Sequence, residues 1–442
     1  LVSAGGLGGG LAVGGGCLTG RRPWGGPMPP VARPVPGRFS PEIIARGKLV
    51  AAAGDCAVCH TAPGGRENAG GLALETPFGI IYSTNLTPDP ATGIGRWSYQ
   101  AFERAMREGI GRVGRHLYPA FPYTAFAKTS DEDMQALYAY LMSQEPVRKQ
   151  PPKIALKFPY NLRFSMAGWN ALFHSTAPFV EDPSRSAQWN RGAYLAEGLG
   201  HCSACHTPRN VLGAERAKTA YLAGGEAEGW VAPALSALSR SPLPWSEDDL
   251  YAYLRTGFSP NHGPAGGPMA PVVHAMEALP DEDVRAIAHY IASFDTRQTP
   301  DGVVARREEV LTRTASLQAQ EKGEGARIYG SACAVCHEGE GAHLYGARPQ
   351  LALNSNVWAE TPDNLIRVLL DGAPSPAHKA ENMMPAYRHL LSDRQIAEVV
   401  AFLRRTMAPE KGCLVYRLPS PRDRRKESLP ASASKKKNIL KR

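Results

Sequence analysis

The chain is 442 residues long, with 50 Lys and Arg against 41 Asp and Glu, a formal charge of +9. Nine of those cations fall between Pro421 and Arg442 against two acids, so this tail carries +7 and the rest +2, which is no signature of nucleic-acid binding. No stretch approaches the roughly 20 apolar residues of a membrane-spanning helix, which leaves a soluble, peripheral or lipid-anchored protein.

Residues 1–38 are rich in Gly and Pro. Leu1 to Cys17 reads as the remnant of a secretory signal. Cys17 is a candidate lipid-carrying residue, although Gly14-Gly15-Gly16 before it matches the usual lipoprotein pattern poorly. From residue 39 the chain repeats itself. The expected units are 39–148, 187–298 and 319–408, with loop-rich linkers at 149–186 and 299–318 and a basic, disordered tail at 409–442.

Each unit carries the same signals in the same order. A short helical stretch holds Gly47, Gly192 or Gly325. A later helix stops at glycine: Ala101–Glu108 at Gly109, Leu250–Thr256 at Gly257 and Leu365–Asp371 at Gly372. A closing helix opens at Ser130, Pro280 or Ser392. Its positions +4, +7 and +11 are apolar every time: Met134, Leu137, Leu141; Val284, Ile287, Ile291; Ile396, Val399, Leu403. Position +10 is aromatic (Tyr140, Tyr290, Phe402). A glycine on the first helix receiving that aromatic would let a small helical unit close on itself.

Six of the eight cysteines lie between these helices in three copies of C-x-x-C-H: Cys56, Cys59, His60; Cys202, Cys205, His206; Cys333, Cys336, His337. Two thiols one helical turn apart can form thioethers with the two vinyl groups of one porphyrin, and the next histidine then falls under the iron. About 0.004 such matches are expected by chance in this composition. A structural zinc site needs two pairs close together, whereas these are more than a hundred residues apart. A redox dithiol would sit in a βαβ pattern that the chain lacks. The cofactors read from these motifs are three covalently bound c-type haems, numbered 1 to 3 in chain order.

Several passages carry a family resemblance: Tyr82-Ser83-Thr84-Asn85-Leu86-Thr87-Pro88-Asp89, Gly93-Ile94-Gly95-Arg96-Trp97, His116-Leu117-Tyr118-Pro119-Ala120, Gly200-His201-Cys202 through Pro208-Arg209-Asn210, and Gly224-Gly225-Glu226-Ala227-Glu228-Gly229-Trp230. Over roughly residues 39–408 the chain resembles the three-haem cytochrome c subunit of bacterial membrane-bound dehydrogenases acting on alcohols, aldehydes, gluconate or sorbitol. The resemblance implies an all-α fold of three tandem class I cytochrome c domains. It also implies a catalytic dehydrogenase partner of flavin, quinone-cofactor or molybdenum type, ubiquinone or another acceptor, and a place at the periplasmic face of the inner membrane. The family commonly finishes in amphipathic sequence, whereas this tail is merely basic.

Spacing supplies sixth ligands. Met269 lies twelve residues after Gly257 and Met384 twelve after Gly372, which gives His/Met iron at haems 2 and 3. Met383 is the alternative at haem 3. The same count in the first unit reaches Phe121, which cannot bind iron. His116, Met106 or Met134 then serves haem 1, or that iron is five-coordinate. Pro63 and Pro208, just after two of the histidines, could present the carbonyl that orients the imidazole, or equally serve only to stiffen the loop; Glu338-Gly339 replaces that arrangement in the third unit. The function expected is electron relay from a dehydrogenase subunit towards quinone, with no catalytic residues on this chain. The alternative is a peroxidase-type enzyme using an open haem 1.

Overall fold

A computed structural model describes residues 26–35, 37–297, 300–338, 350–373 and 384–411. Cys17 with the segment around it, Met383, Cys413 and the basic tail lie outside the described residues.

In the first repeat, α1 (Pro41–Ala53) starts where the Ser40 hydroxyl accepts from the Ile43 amide, with Pro41 at its first position. The single turn α2 (Cys56–His60) leads to a hairpin of β1 (Ala73–Thr76) and β2 (Gly79–Tyr82). α3 (Tyr99–Glu108) stops at Gly109, whose φ of 65° is left-handed. The short α4 (Tyr123–Phe126) precedes α5 (Asp131–Ser143), capped by Ser130. β3 (Ala155–Leu156) adds a third strand beside β2, and α6 (Ser165–Phe173) leads on.

The second repeat runs through α7 (Ala187–Tyr194), a π-helical turn over Leu195–Leu199, α8 (Ser203–His206) and α9 (Ala217–Ala220). A hairpin of β4 (Gly225–Ala227) and β5 (Trp230–Ala232) follows. α10 (Glu247–Thr256) stops at Gly257, φ 71°. A tight hairpin of β6 (Phe258–Ser259) and β7 (Gly263–Pro264) leads to α11 (Met269–Met276) and α12 (Asp281–Ala292), which opens at Pro280.

The third, preceded by the linker helix α13 (Pro300–Gln320), begins with α14 (Glu324–Ala332) and continues through α15 (Ala334–His337), α16 (Ser355–Trp358), α17 (Asp363–Asp371) and α18 (Asp393–Met407). Ser392 and Gln395 close a reciprocal capping box at the start of α18.

Two expectations need correcting. The fold is mostly helical, but the described residues carry one three-stranded sheet and two two-stranded hairpins rather than being all-α. The strands are two to four residues long, too short to leave a period in the sequence. The stretch 299–318, expected as loop, is the long helix α13. Val310 is fully buried there, and Val303 and Leu311 pack beside it against the third core.

The three closing helices each cross the first helix of their repeat at the glycine and aromatic singled out by sequence. A Cβ on Gly47 would lie 1.9 Å from the Ala136 carbonyl oxygen and 2.7 Å from the Tyr140 Cβ. At Gly192 the distances are 2.0 Å to the Ala286 oxygen and 2.7 Å to the Tyr290 Cβ; at Gly325 they are 2.2 Å to the Glu398 oxygen and 2.9 Å to the Phe402 Cβ. Only hydrogen fits at such crossings. The first two repeats share one apolar core, in which Leu137 and Leu141 join Leu195 and Ile287. The third has its own core around Trp358, Val399 and Leu403. It is tied back to the second by paired bonds between Asn364 and the Val231 backbone, and by Arg367 over the Trp230 ring.

Candidate haem-attachment sites

Each C-x-x-C-H occupies one helical turn directly after the first helix of its repeat. α1 ends at Gly54, and Asp55 takes a left-handed conformation (φ 50°) to launch the new turn at Cys56. His201, φ 34°, does the same before Cys202. The turns are closed by amide bonds from His206 to the Cys202 carbonyl and from His337 to the Cys333 carbonyl, both 3.0 Å. Cysteines three apart therefore project from one side of a turn, with histidine next along. None of the six is in a disulfide. Among the described residues no three of His, Cys, Asp and Glu converge as a metal-holding cluster.

The imidazoles are oriented by backbone. His60 Nδ1 lies 2.6 Å from the Thr84 carbonyl oxygen, and His206 Nδ1 lies 2.7 Å from that of Pro233. A proton on Nδ1 leaves Nε2 as the nitrogen with a lone pair for iron. The histidine carbonyls are held equally: they accept from the amides of Gly70 (2.6 Å) and Gly224 (2.8 Å). Both glycines have left-handed φ, 72° and 93°. Burial pushes the His60 and His206 imidazoles down, which favours the neutral form that binds metal. The residues thus fit covalent haem: paired thiols, a fixed neutral imidazole and an apolar surround.

The expected role of Pro63 and Pro208 is not what the structure contains. The orienting carbonyls follow the β1–β2 and β4–β5 hairpins, 24 and 27 residues beyond the histidines. The Pro208 carbonyl instead accepts from the Arg216 amide.

On the ligand side, the first two repeats share two backbone hydrogen bonds, although a helix starts at Met269 itself and only at Tyr123 in the first repeat. The Leu117 amide donates to the Gly109 carbonyl and the Ala265 amide to that of Gly257, both at 2.7 Å. The Phe121 amide donates to Tyr118 at 3.0 Å, and the Met269 amide to Gly266 at 3.2 Å. Phe121 therefore stands where the second repeat has Met269. Its ring meets Phe126 with centroids 5.5 Å apart. In the third repeat, Met384 is paired in backbone with Ala373, 3.1 Å each way. Met269 and Met384 are half-buried at the edges of their cores, whereas Met106 and Met134 are wholly inside theirs. His116 is buried and bridged in backbone to Ile110, and its carbonyl accepts from Arg163.

One residue escaped the sequence reading. Asp55 is 5% exposed, and its carboxylate oxygens have no hydrogen-bond partner among the described residues. Burial pushes its carboxyl up to about 8. Its charge also bears on the Cys202 and Cys205 thiols, so the first two attachment turns are neighbours. An acid directly before an attachment cysteine was the available signal.

Comparison with known proteins gives a matching picture. The family model for cytochrome c matches residues 44–145 and 190–295. That for cytochrome C oxidase, cbb3-type, subunit III matches residues 320–403. The chain is 54% identical over 397 residues to a subunit of nicotinate dehydrogenase from Pseudomonas putida, covering 90% of this chain and 33% of that protein. It thus spans only a third of that relative's length. It is 39% identical to the gluconate 2-dehydrogenase cytochrome c subunit of Pantoea cypripedii, over 82% of this chain and 85% of that one. It is 37% identical to the fructose dehydrogenase cytochrome subunit of Gluconobacter japonicus, over 84% and 80%.

Proposed function

Because the chain belongs to the family of dehydrogenase cytochrome c subunits, electron-transfer proteins with covalently bound c-type haem, we propose that it carries three such haems and relays electrons from a catalytic dehydrogenase subunit. Haem supplies one-electron redox chemistry, and the chain supplies attachment, ligands and dielectric. Cys56 with Cys59, Cys202 with Cys205 and Cys333 with Cys336 hold the three porphyrins. His60, His206 and His337 are the proximal ligands, and Met269 and Met384 the distal ligands of haems 2 and 3. Each haem sits in its own helical domain, 39–148, 187–298 or 319–408.

The observation that carries this reading is the repeated device at His60 and His206, where a carbonyl fixes Nδ1 and leaves Nε2 for iron. The relatives' names support a dehydrogenase partner, and we take it to be of flavin, quinone-cofactor or molybdenum type. The acceptor is membrane quinone and the setting is the periplasmic face, where thioether assembly occurs. Among the described residues no helix is long and apolar enough to cross a membrane, and the contact proposed is peripheral. A peroxidase at haem 1 draws no support from the relatives.

An alkaline pyridine haemochrome assay together with intact mass tests the count. Three haems per matured chain are expected, and a mass corresponding to two or fewer would overturn the three-site reading.

A further inference from the structure

Between the first two repeats the chain changes character. From Pro146 to Val180 there is no Asp or Glu, against five Lys and Arg: Arg148, Lys149, Lys153, Lys157 and Arg163. The same stretch exposes large apolar side chains, with Phe158 at 78%, Phe164 at 62% and Leu172 at 74%. Scattered exposed apolar residues need no explanation, but these three fall within fifteen residues of a stretch free of acids. Phe164, Gly168 and Leu172 fall four apart along α6 and the residue before it, so they share one face. A Cβ on Gly168 would meet nothing within 4 Å. The opposite face is fixed to the protein: Trp169 is buried, donates from Nε1 to the Leu212 carbonyl at 3.0 Å and meets Phe173 at 5.5 Å between centroids.

The surface continues past α6. Tyr160 stacks on Phe78 with centroids 4.6 Å apart, and Phe78 abuts Gly213, next to the half-exposed Leu212. Cations rim this ground. Lys153 and Lys157 are exposed, and Arg209 donates to the Gly213 carbonyl. The nearby acid Glu215 is already within 3.9 Å of Arg209.

We propose that this face is a bilayer seat: Phe158, Phe164 and Leu172 enter the interface of an anionic membrane while Lys153, Lys157 and Arg209 meet its phosphates. The proposal names the surface for the membrane contact inferred above and rests on that reading. Protruding aromatic and aliphatic side chains among long cations, with no acid between Pro146 and Val180, match a negatively charged lipid surface. α6 is held by Trp169 from behind, so little ordering entropy opposes insertion.

The test is co-sedimentation of the full haem-loaded chain with vesicles of mixed phosphatidylglycerol and phosphatidylcholine, in salt high enough to screen the basic tail. The wild type is expected to bind. The triple variant Phe158→Ser, Phe164→Ser, Leu172→Ser should bind roughly a hundredfold more weakly. Lys153→Gln with Lys157→Gln should weaken binding about fivefold per charge at low salt. The haem spectra of both variants should match wild type, because all five side chains are exposed. Undiminished vesicle binding by the triple variant would overturn the seat and leave the membrane reading standing. A wild type that binds no vesicle overturns the membrane reading itself. A triple variant that still binds vesicles but no longer accepts electrons from its dehydrogenase assigns the face to the protein partner instead.

Discussion

Phe121→Met is the substitution that discriminates most sharply among accounts of haem 1. The loops bearing Phe121 and Met269 are anchored by the same two amide bonds, whose lengths agree to within 0.2 Å (2.7 and 2.7 Å; 3.0 and 3.2 Å). A methionine at 121 therefore sits on a loop anchored at the same two points as the one that presents Met269, although the helix that begins at Met269 begins only at Tyr123 in the first repeat. Phe and Met are close in volume. Phe121 is half-buried, so losing its contacts with Phe126 and Tyr123 should cost under about 1.5 kcal/mol. With an apolar ring over the iron, wild-type haem 1 is expected to be high-spin and to bind carbon monoxide, one equivalent per chain. Phe121→Met should convert it to low-spin His/Met iron, raise its reduction potential and abolish that equivalent. Absorption and electron paramagnetic resonance spectra of the two proteins, with a carbon monoxide titration, read all three effects. Three low-spin haems and no carbon monoxide binding in the wild type would refute the reasoning and point to another distal ligand.

Gly192→Ala would place a methyl 2.0 Å from the Ala286 oxygen. It should cost about 3 kcal/mol or more, because α7 and α12 must part; a loss under about 1 kcal/mol in denaturant unfolding would show the crossing to be softer than drawn. Asp55 holds its proton in the fold up to about 8, whereas the unfolded carboxyl releases it near 3.8. The folded state therefore binds more protons between those values, and this group's contribution to stability falls as pH rises from about 4 to 8. Asp55→Asn should flatten that fall, by on the order of 3 kcal/mol between pH 5 and 8, in unfolding of the haem-loaded chain. Parallel stability curves for the two proteins would mean that Asp55 is charged in the fold.

What could be read from sequence was local chemistry. Ser130, Pro280 and Ser392 open their helices, and Gly109 and Gly257 end theirs in the left-handed conformation, because a cap or stop involves residues within one turn. The crossings at Gly47, Gly192 and Gly325 were legible because the pattern recurs in register, although the partners, from Gly325 with Glu398 to Gly192 with Tyr290, are far apart in the chain. What failed depended on distant partners that no pattern marks. The carbonyls over His60 and His206 come from Thr84 and Pro233, where any residue serves since only backbone is used. The helix α13 was hidden because its charged outer face outweighs the few residues, Val303, Val310 and Leu311, that seat it on the third core. Asp55 was passed over because an acid in a turn is ordinarily solvated, and only burial makes it unusual.

This division explains how one repeated unit can host haems of different character. The loops bearing Phe121 and Met269 are anchored by backbone hydrogen bonds, between Leu117 and Gly109 and between Ala265 and Gly257, beside whatever packing the side chains add. The proximal imidazoles are pinned in the same way, through backbone that follows a hairpin. Two positions beside the attachment turns differ between these repeats: Phe121 against Met269, and Asp55 against His201. Axial ligation and nearby charge are the main means by which a protein sets a haem potential. On the assignment proposed above, the scaffold would keep the first two attachment turns in a fixed relation within one core, while Phe121 and Met269 would give their haems different axial environments.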